Sequence, residues 1–179
     1  MTSITLRPMV RADLPLLAHW LVQPHVTKWW RDEPADLDAV EAKYGPCIDG
    51  TDPTELFVIE ELGRPVGMIQ RYLFADEPEW VAVFDGILDV TGAAGIDYLI
   101  GAPDAVGRGL GTAAISAFAD QAFGWKPVRS IVVTVQQDNP ASWRVLERAG
   151  FTRMWSGELD SPDPSDQGPE YVYQLHRAE

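Results

Sequence analysis

The sequence predicts a mixed α/β sheet in one domain, residues 1–179, and three features carry that expectation. Short segments with the alternating or continuously apolar character of strands are interleaved with segments of helical spacing. Their order is strand, helices, three strands, helix, strand, helix, strands, as in a mixed sheet. The third feature is a glycine-rich run, Val106-Gly107-Arg108-Gly109-Leu110-Gly111, set between a strand and a strong helix pattern from Thr112 to Phe123. With 179 residues, 46% of them hydrophobic and 23% charged, the chain is large and apolar enough for one sizeable core.

The elements follow in order. Ile4 to Pro8 alternates and ends at proline, as a short strand does. Arg11 to Leu21 reads as a helix with Asp13 as N-cap and Pro15 in its first turn, because Leu14, Leu17 and Leu21 share a face. Gln23-Pro24-His25 breaks it, and Trp29-Trp30 then fall in a loop or a short second helix. Asp36 to Ile48 has helical spacing through Leu37, Val40 and Tyr44, with Pro46 weakening its end. Glu55–Glu60 and Val66–Phe74 form a hairpin around a Gly63-Arg64-Pro65 turn. Asp76 to Asp85 reads as an acidic loop or bulged strand, and Gly95 to Ile100 as a strand. Ser130 to Gln136 has the near-continuous apolar run of a buried strand. Asn139 to Ala149 is a helix capped by Asp138 or Asn139 and stopped by Gly150. Phe151–Gly157 and Glu170–His176 close the sheet around an exposed loop, Ser161 to Gly168.

Charge and cysteine content exclude several functions. Twenty-seven acidic against 14 basic residues give a formal charge of −13, which argues against nucleic acid and favours cationic ligands. Cys47 is the one cysteine, so neither an intramolecular disulfide nor a multi-cysteine metal site is available. No basic and apolar leader opens the sequence and no run of about 18 apolar residues occurs, so the expectation is a cytoplasmic enzyme with no membrane contact.

The glycine run is the strongest chemical signal. Three glycines in five positions clear the backbone of Cβ atoms, and the following helix start offers unpaired N–H groups and a positive dipole end. That is an anion cradle suited to phosphate or pyrophosphate. It is no Walker A loop, because Thr112-Ala113 follow Gly111 where Lys and Ser or Thr are needed. It also lies too late in the chain for a dinucleotide fold, and Ser130-Ile131-Val132 stand where that fold needs an acid.

Two blocks carry a family resemblance. Val-Gly-Arg-Gly-Leu-Gly-Thr at 106–112, joined to Asn139-Pro140-Ala141-Ser142-Trp143-Arg144-Val145-Leu146-Glu147-Arg148-Ala149-Gly150-Phe151, resembles the GNAT superfamily of acetyl-CoA-dependent N-acetyltransferases. The segments His25-Val26-Thr27-Lys28-Trp29-Trp30 and Gly95-Ile96-Asp97 further resemble the aminoglycoside 6′-N-acetyltransferases, and in part the siderophore-lysine acyltransferases. The resemblance implies a mostly antiparallel sheet flanked by helices on both faces, and direct transfer without an acyl-enzyme. Three positions depart from the pattern. Val106 stands where Gln or Arg usually opens the loop, Leu146 where many members carry a tyrosine acid, and Thr134 where many 6′-enzymes carry Asp.

On this reading the N–H groups of Gly107, Arg108, Gly109, Leu110, Gly111 and Thr112, with Val106 at the loop's entry, hold the pyrophosphate of acetyl-CoA. Arg108 either adds charge there or is solvated. The resemblance gives Asn139 to the pantetheine, a role compatible with capping its helix, and main-chain groups of Leu99 and Ile100 to the pantetheine amides and thioester carbonyl. Ser142, one turn before Leu146, faces the sulfur region. Asp97 is the candidate base or amine anchor, because a primary ammonium must lose a proton before it attacks. Trp29, Trp30 and Trp80 are candidate walls for sugar rings, with Asp85, Asp89 and Glu79 as a negative cleft; core packing is the other reading of the Trp29-Trp30 pair. His25 is either a substrate contact or a turn cap. No metal is expected. The acceptor on this reading is an aminoglycoside amine; the alternatives are a lysine or hydroxylysine-type siderophore amine, a peptide N-terminus, or binding of acyl-CoA or antibiotic without catalysis. Both a monomer and a homodimer are compatible with the sequence.

Overall fold

The computed structural model describes residues 3–124 and 128–177. Its strands are β1 (Ile4–Pro8), β2 (Glu55–Glu61), β3 (Arg64–Leu73), β4 (Ala93–Ile100), β5 (Ser130–Gln136), β6 (Thr152–Glu158) and β7 (Pro169–His176). The helices are α1 (Leu14–Leu21), α2 (Pro24–Thr27), α3 (Leu37–Asp49), α4 (Pro78–Val83), α5 (Leu110–Gly124) and α6 (Pro140–Arg148). The strands hydrogen-bond in the order β1-β2-β3-β4-β5-β7-β6. β1–β2, β2–β3, β5–β7 and β6–β7 are antiparallel, and β4–β5 is parallel. The sheet is therefore mixed and mostly antiparallel. The chain divides into two compact units, one of Met1–Arg71 and Asp97–Ala114, the other of Tyr72–Ile96 and Ile115–Glu179.

In the first unit, α1 turns Leu14, Leu17, Trp20 and Leu21 inward against Val40 and Tyr44 of α3, Leu56 and Val58 of β2, Met68 of β3 and Leu99 of β4. Each such fully buried aliphatic side chain contributes about 1.5–3 kcal/mol. Asp36 caps α3 by accepting from the Ala39 N–H at 2.9 Å, and Gly50, at φ 75°, ends it. Asp13 does not cap α1. Its carboxylate is held by both Arg7 terminal nitrogens (2.7 and 2.8 Å) and the Val10 N–H, so it closes the 3₁₀ turn Arg11–Asp13 that precedes the helix. The hairpin turn is Leu62-Gly63, both left-handed, rather than Gly63-Arg64-Pro65; Arg64 and Pro65 already belong to β3.

In the second unit, Phe74, Phe84, Val90, Ala93, Val132, Leu159 and Val172 form a separate core, with Tyr72, Trp80 and Trp155 packed against it. The segment 76–85, expected as a loop or bulged strand, is largely α4. Pro78 fits the first helical position, and Phe74 and Phe84 at its two ends meet edge to face at 5.3 Å. Asn139 caps α6, its Oδ1 accepting from the Ser142 N–H at 3.2 Å.

Candidate active site

The glycine loop lies in the first unit, between a 3₁₀ turn at Pro103–Ala105 and α5. Gly107 and Gly109 take φ values of 77° and 80°, which side chains rarely adopt. A Cβ at either would meet nothing within 4 Å, so backbone conformation rather than protein crowding requires glycine there. Ala113 N–H donates to Gly109 O, and the N–H groups of Leu110, Gly111 and Thr112 stand ahead of that first helical bond. Loop and helix start together have the form of a phosphate cradle. The Thr112 hydroxyl is buried with no hydrogen-bond partner among the described residues. Val106, extended and half exposed, forms the loop's entry.

Arg108 has a role that the sequence did not indicate. Its guanidinium, half exposed, donates twice to Glu61 of β2, at 2.7 and 2.8 Å. Arg64 approaches the same carboxylate at 3.7 Å and pairs with Asp104 at 2.9 Å. The hydrogen bond from Arg64 holds the Asp104 carboxyl below its ordinary range. The loop is thus tied to the β2–β3 hairpin by charge.

β4 delivers Asp97, Leu99 and Ile100 to the same unit. Asp97 is half buried and accepts from the Gln70 side-chain amide of β3 at 2.8 Å. Tyr44 donates to Glu33 at 2.8 Å, and Lys43 pairs with Glu33 at 2.7 Å. Burial, followed by the negative charges of Glu33 and Asp97, pushes the Tyr44 phenol well above its ordinary range. Sequence reasoning does not reach Gln70, Tyr44 and Glu33 as site residues; they come from three other segments, and no spacing rule connects them to Asp97.

His25 Nε2 donates to the Ile100 carbonyl at 2.9 Å, so it braces the end of β4. At that end Gly101 packs on Trp20, whose ring occupies the space of a Cβ, and Gly101 and Ala102 N–H both donate to Val66 O. The two adjacent tryptophans separate. Trp30 packs against the first core, while Trp29 carries the Lys28 ammonium 4.5 Å above its ring. Cys47 is half buried, and burial with Asp52 nearby pushes its thiol up to about 11, which makes it a poor nucleophile at neutral pH.

In the second unit, Trp80 lies on α4 against the Phe74–Phe84 core. Asp85 and Asp89 line a hollow of about 880 Å³ walled by Phe74, Val81, Phe84 and Ile87. Asp89 accepts from the Thr91 N–H at 2.9 Å. Hydrogen bonds from the Thr91 side chain and backbone lower its carboxyl below the usual range and make it a turn former as well. Glu79 is exposed in the first turn of α4. Asn139 and Ser142 meet at the start of α6 through the cap. Among the described residues, no helix is long and apolar enough to cross a membrane, and no group of three or more His, Cys, Asp or Glu side chains could hold a metal.

The model of the acetyltransferase (GNAT) domain family matches residues 9–159. The chain belongs to the GNAT acetyltransferase family. Aminoglycoside N(6′)-acetyltransferase type 1 from Klebsiella pneumoniae and that from Serratia marcescens are each 31% identical to it over 181 residues, spanning 98% of this chain and 85% of the relative. A crystal structure of the aminoglycoside acetyltransferase AAC(6′)-Ib with coenzyme A superposes with a TM-score of 0.83 at 29% identity, covering 98% of this chain and 95% of that one. The AAC(6′)-Ib complex with coenzyme A and kanamycin gives 0.82 at 28% identity, covering 98% and 95%. Within this GNAT chain two of the three departures have structural counterparts. Val106 presents an apolar side chain at the loop's entry, and Leu146 is fully buried in α6, so no hydroxyl stands at that point of the helix.

Proposed function

We propose that the chain transfers an acetyl group from acetyl-CoA to a primary amine of an aminoglycoside, by direct attack of the amine. The observation that carries this reading is Asp97, a half-buried carboxylate held by Gln70 and set one short strand ahead of the glycine cradle. The acceptor class is supported by relatives named for aminoglycoside N(6′)-acetylation and by the neighbour solved with coenzyme A and kanamycin.

Bound acetyl-CoA supplies an activated thioester carbonyl. The backbone N–H groups from Gly107 to Thr112 and the α5 dipole hold its pyrophosphate. Because Arg108 is neutralised by Glu61, its part is to fix the loop's shape. Main-chain groups of Leu99 and Ile100 align the pantetheine and polarise the carbonyl, with His25 bracing the Ile100 peptide. Asn139 and Ser142 serve the thiol end. Asp97 accepts the ammonium proton directly or through one water, freeing the nitrogen lone pair. Leu146 offers no proton to the departing thiolate; Ser142, one turn earlier on α6, is the hydroxyl we assign to relay one through water. Trp29 supplies an aromatic face in the first unit, and within the second unit Trp80 supplies another while Asp85 and Asp89 supply negative charge that favours a cationic acceptor.

The test is the pH profile of kcat/KM for Asp97→Asn beside the parent, followed by thiol release from acetyl-CoA with kanamycin. The reading requires the acidic limb of the profile to disappear in the variant. Superimposable profiles would remove Asp97 from the chemistry.

A further inference from the structure

The end of β4 is shaped by a missing side chain on the neighbouring strand, and the residues concerned all lie in the first unit. Gly67 of β3 is buried between Val66 and Met68, which are fully buried too. Its φ is not left-handed, so backbone freedom is not what the position uses. A Cβ there would overlap the Leu99 carbonyl oxygen and come within 3.1 Å of the Ile100 Cα. In a regular ladder the carbonyl lies near the plane of the sheet, while the Cβ stands out of it. The Leu99 oxygen therefore leaves the ladder on the side of Gly67 where a side chain would project. Just beyond it, the Gly101 and Ala102 N–H groups both donate to the Val66 carbonyl, at 2.9 and 3.0 Å. Two residues opposite one is the count of a β-bulge.

The next carbonyl is fixed from another direction. His25 Nε2 donates to it, the Ile100 oxygen, at 2.9 Å, and the Trp20 ring fills the Cβ position of Gly101. The peptide between Leu99 and Ile100 is trans and planar, so its N–H points opposite to its carbonyl. With that carbonyl turned toward Gly67, the Ile100 N–H is turned toward the opposite face of the sheet. Any side chain at position 67 must push the oxygen back, and the same rotation carries the Ile100 N–H with it. Plain pairing of two strands does not call for this, because a regular ladder accommodates a side chain at every position. Bulges beside active sites re-aim groups in this way.

We infer that Gly67 is a positioning residue for acetyl transfer: with His25 it sets the tilt of the Leu99–Ile100 peptide, and so aims the Ile100 N–H at the acyl end of acetyl-CoA. The role rests on the proposed function, which gives these main-chain groups to the donor. Neither Gly67 nor His25 touches the reacting atoms. An N–H that meets a carbonyl as its charge develops is effective only within a narrow range of position, so rotating this peptide costs rate. The cradle at 107–112 is a different segment, and phosphate binding is left intact.

The experiment compares the full-length parent with Gly67→Ala, His25→Leu and His25→Gln, the last of which keeps a donor. Val40→Ala, a buried substitution on α3, controls for lost stability. Each is measured for its urea midpoint, for kcat and KM by thiol release with kanamycin, and for affinity for 3′-phospho-ADP. That ligand has the pyrophosphate of coenzyme A but no pantetheine. Gly67→Ala and His25→Leu are expected to lose roughly 10–10²-fold in kcat and to bind 3′-phospho-ADP as the parent does. His25→Gln recovers most of the loss, and Val40→Ala keeps the parent's kcat at a lowered midpoint. His25 is only part buried, so His25→Leu decides the matter where Gly67→Ala does not fold. Parent-like kcat in either folded variant, or a loss of 3′-phospho-ADP affinity as large as the loss of kcat, would overturn the role and leave the proposed function standing. A parent that releases no thiol with kanamycin would overturn both.

Discussion

Asp97 in the first unit and Glu170 in the second are both acids on strands of the same sheet, yet their surroundings are opposite. Asp97 is half buried, meets a neutral amide from Gln70 and belongs to the unit that carries the glycine loop and His25. Glu170 is fully buried, meets another acid, and has no donor to its carboxylate oxygens among the described residues. The difference assigns them different work. An acid with a donor to orient it is placed for proton transfer, whereas a buried acid facing another acid holds a proton.

Variants can break or sharpen that contrast. The largest effect belongs to Asp97→Asn, with kcat/KM reduced roughly 10²–10⁴-fold and unfolding nearly unchanged. Gly109→Val comes next. A branched side chain cannot hold φ near 80°, so the cradle reshapes and KM for acetyl-CoA rises about 10–100-fold, while kanamycin affinity measured without acetyl-CoA stays the same.

Glu170 then predicts a stability effect of definite sign. Its carboxyl is raised from 4.5 to about 9 in the folded chain, so the folded state keeps a proton that the unfolded chain gives up. Its contribution is fully present below pH 4.5 and is lost as pH rises toward 9. Urea midpoints of the parent therefore fall across that window, and Glu170→Gln removes this part of the slope. A parent midpoint that rises across the window through this residue would contradict the assignment. The smallest effects belong to Asn139→Ala, which loses a helix cap worth about 1 kcal/mol and lowers Tm by roughly 2–4 °C, and to Arg108→Ala. The latter pair is half exposed on the arginine side and worth no more than about 1 kcal/mol, so its readout is a modest rise in KM for acetyl-CoA.

The parts of the molecule built from local rules are legible in the sequence. Periodicity locates β1, α1, α3, β5 and α6 to within a few residues at their ends, and the glycine spacing marks a cradle without knowledge of the fold. The position of Asp97 as a charge in an otherwise apolar strand is legible, and the structure shows it half buried with Gln70 as donor. What escapes depends on partners distant in sequence. The Arg108–Glu61 pair joins residues 47 apart, and His25 finds Ile100 across 75. Asp13 has the residue type and position of a cap, but Arg7, six residues back, draws it elsewhere. In the segment 76–85 the acidic residues hide a helix anchored by Phe74 and Phe84. Glu170 carries no sign of burial in a stretch whose neighbours are Pro169 and Gly168.

The most direct test of the account is thiol release from acetyl-CoA by the full chain against a panel of kanamycin, lysine, hydroxylysine and a short peptide, with mass spectrometry of each product. The account predicts rapid turnover with kanamycin and a single added acetyl group on one of its amines. Turnover confined to lysine-type amines or to the peptide would contradict it.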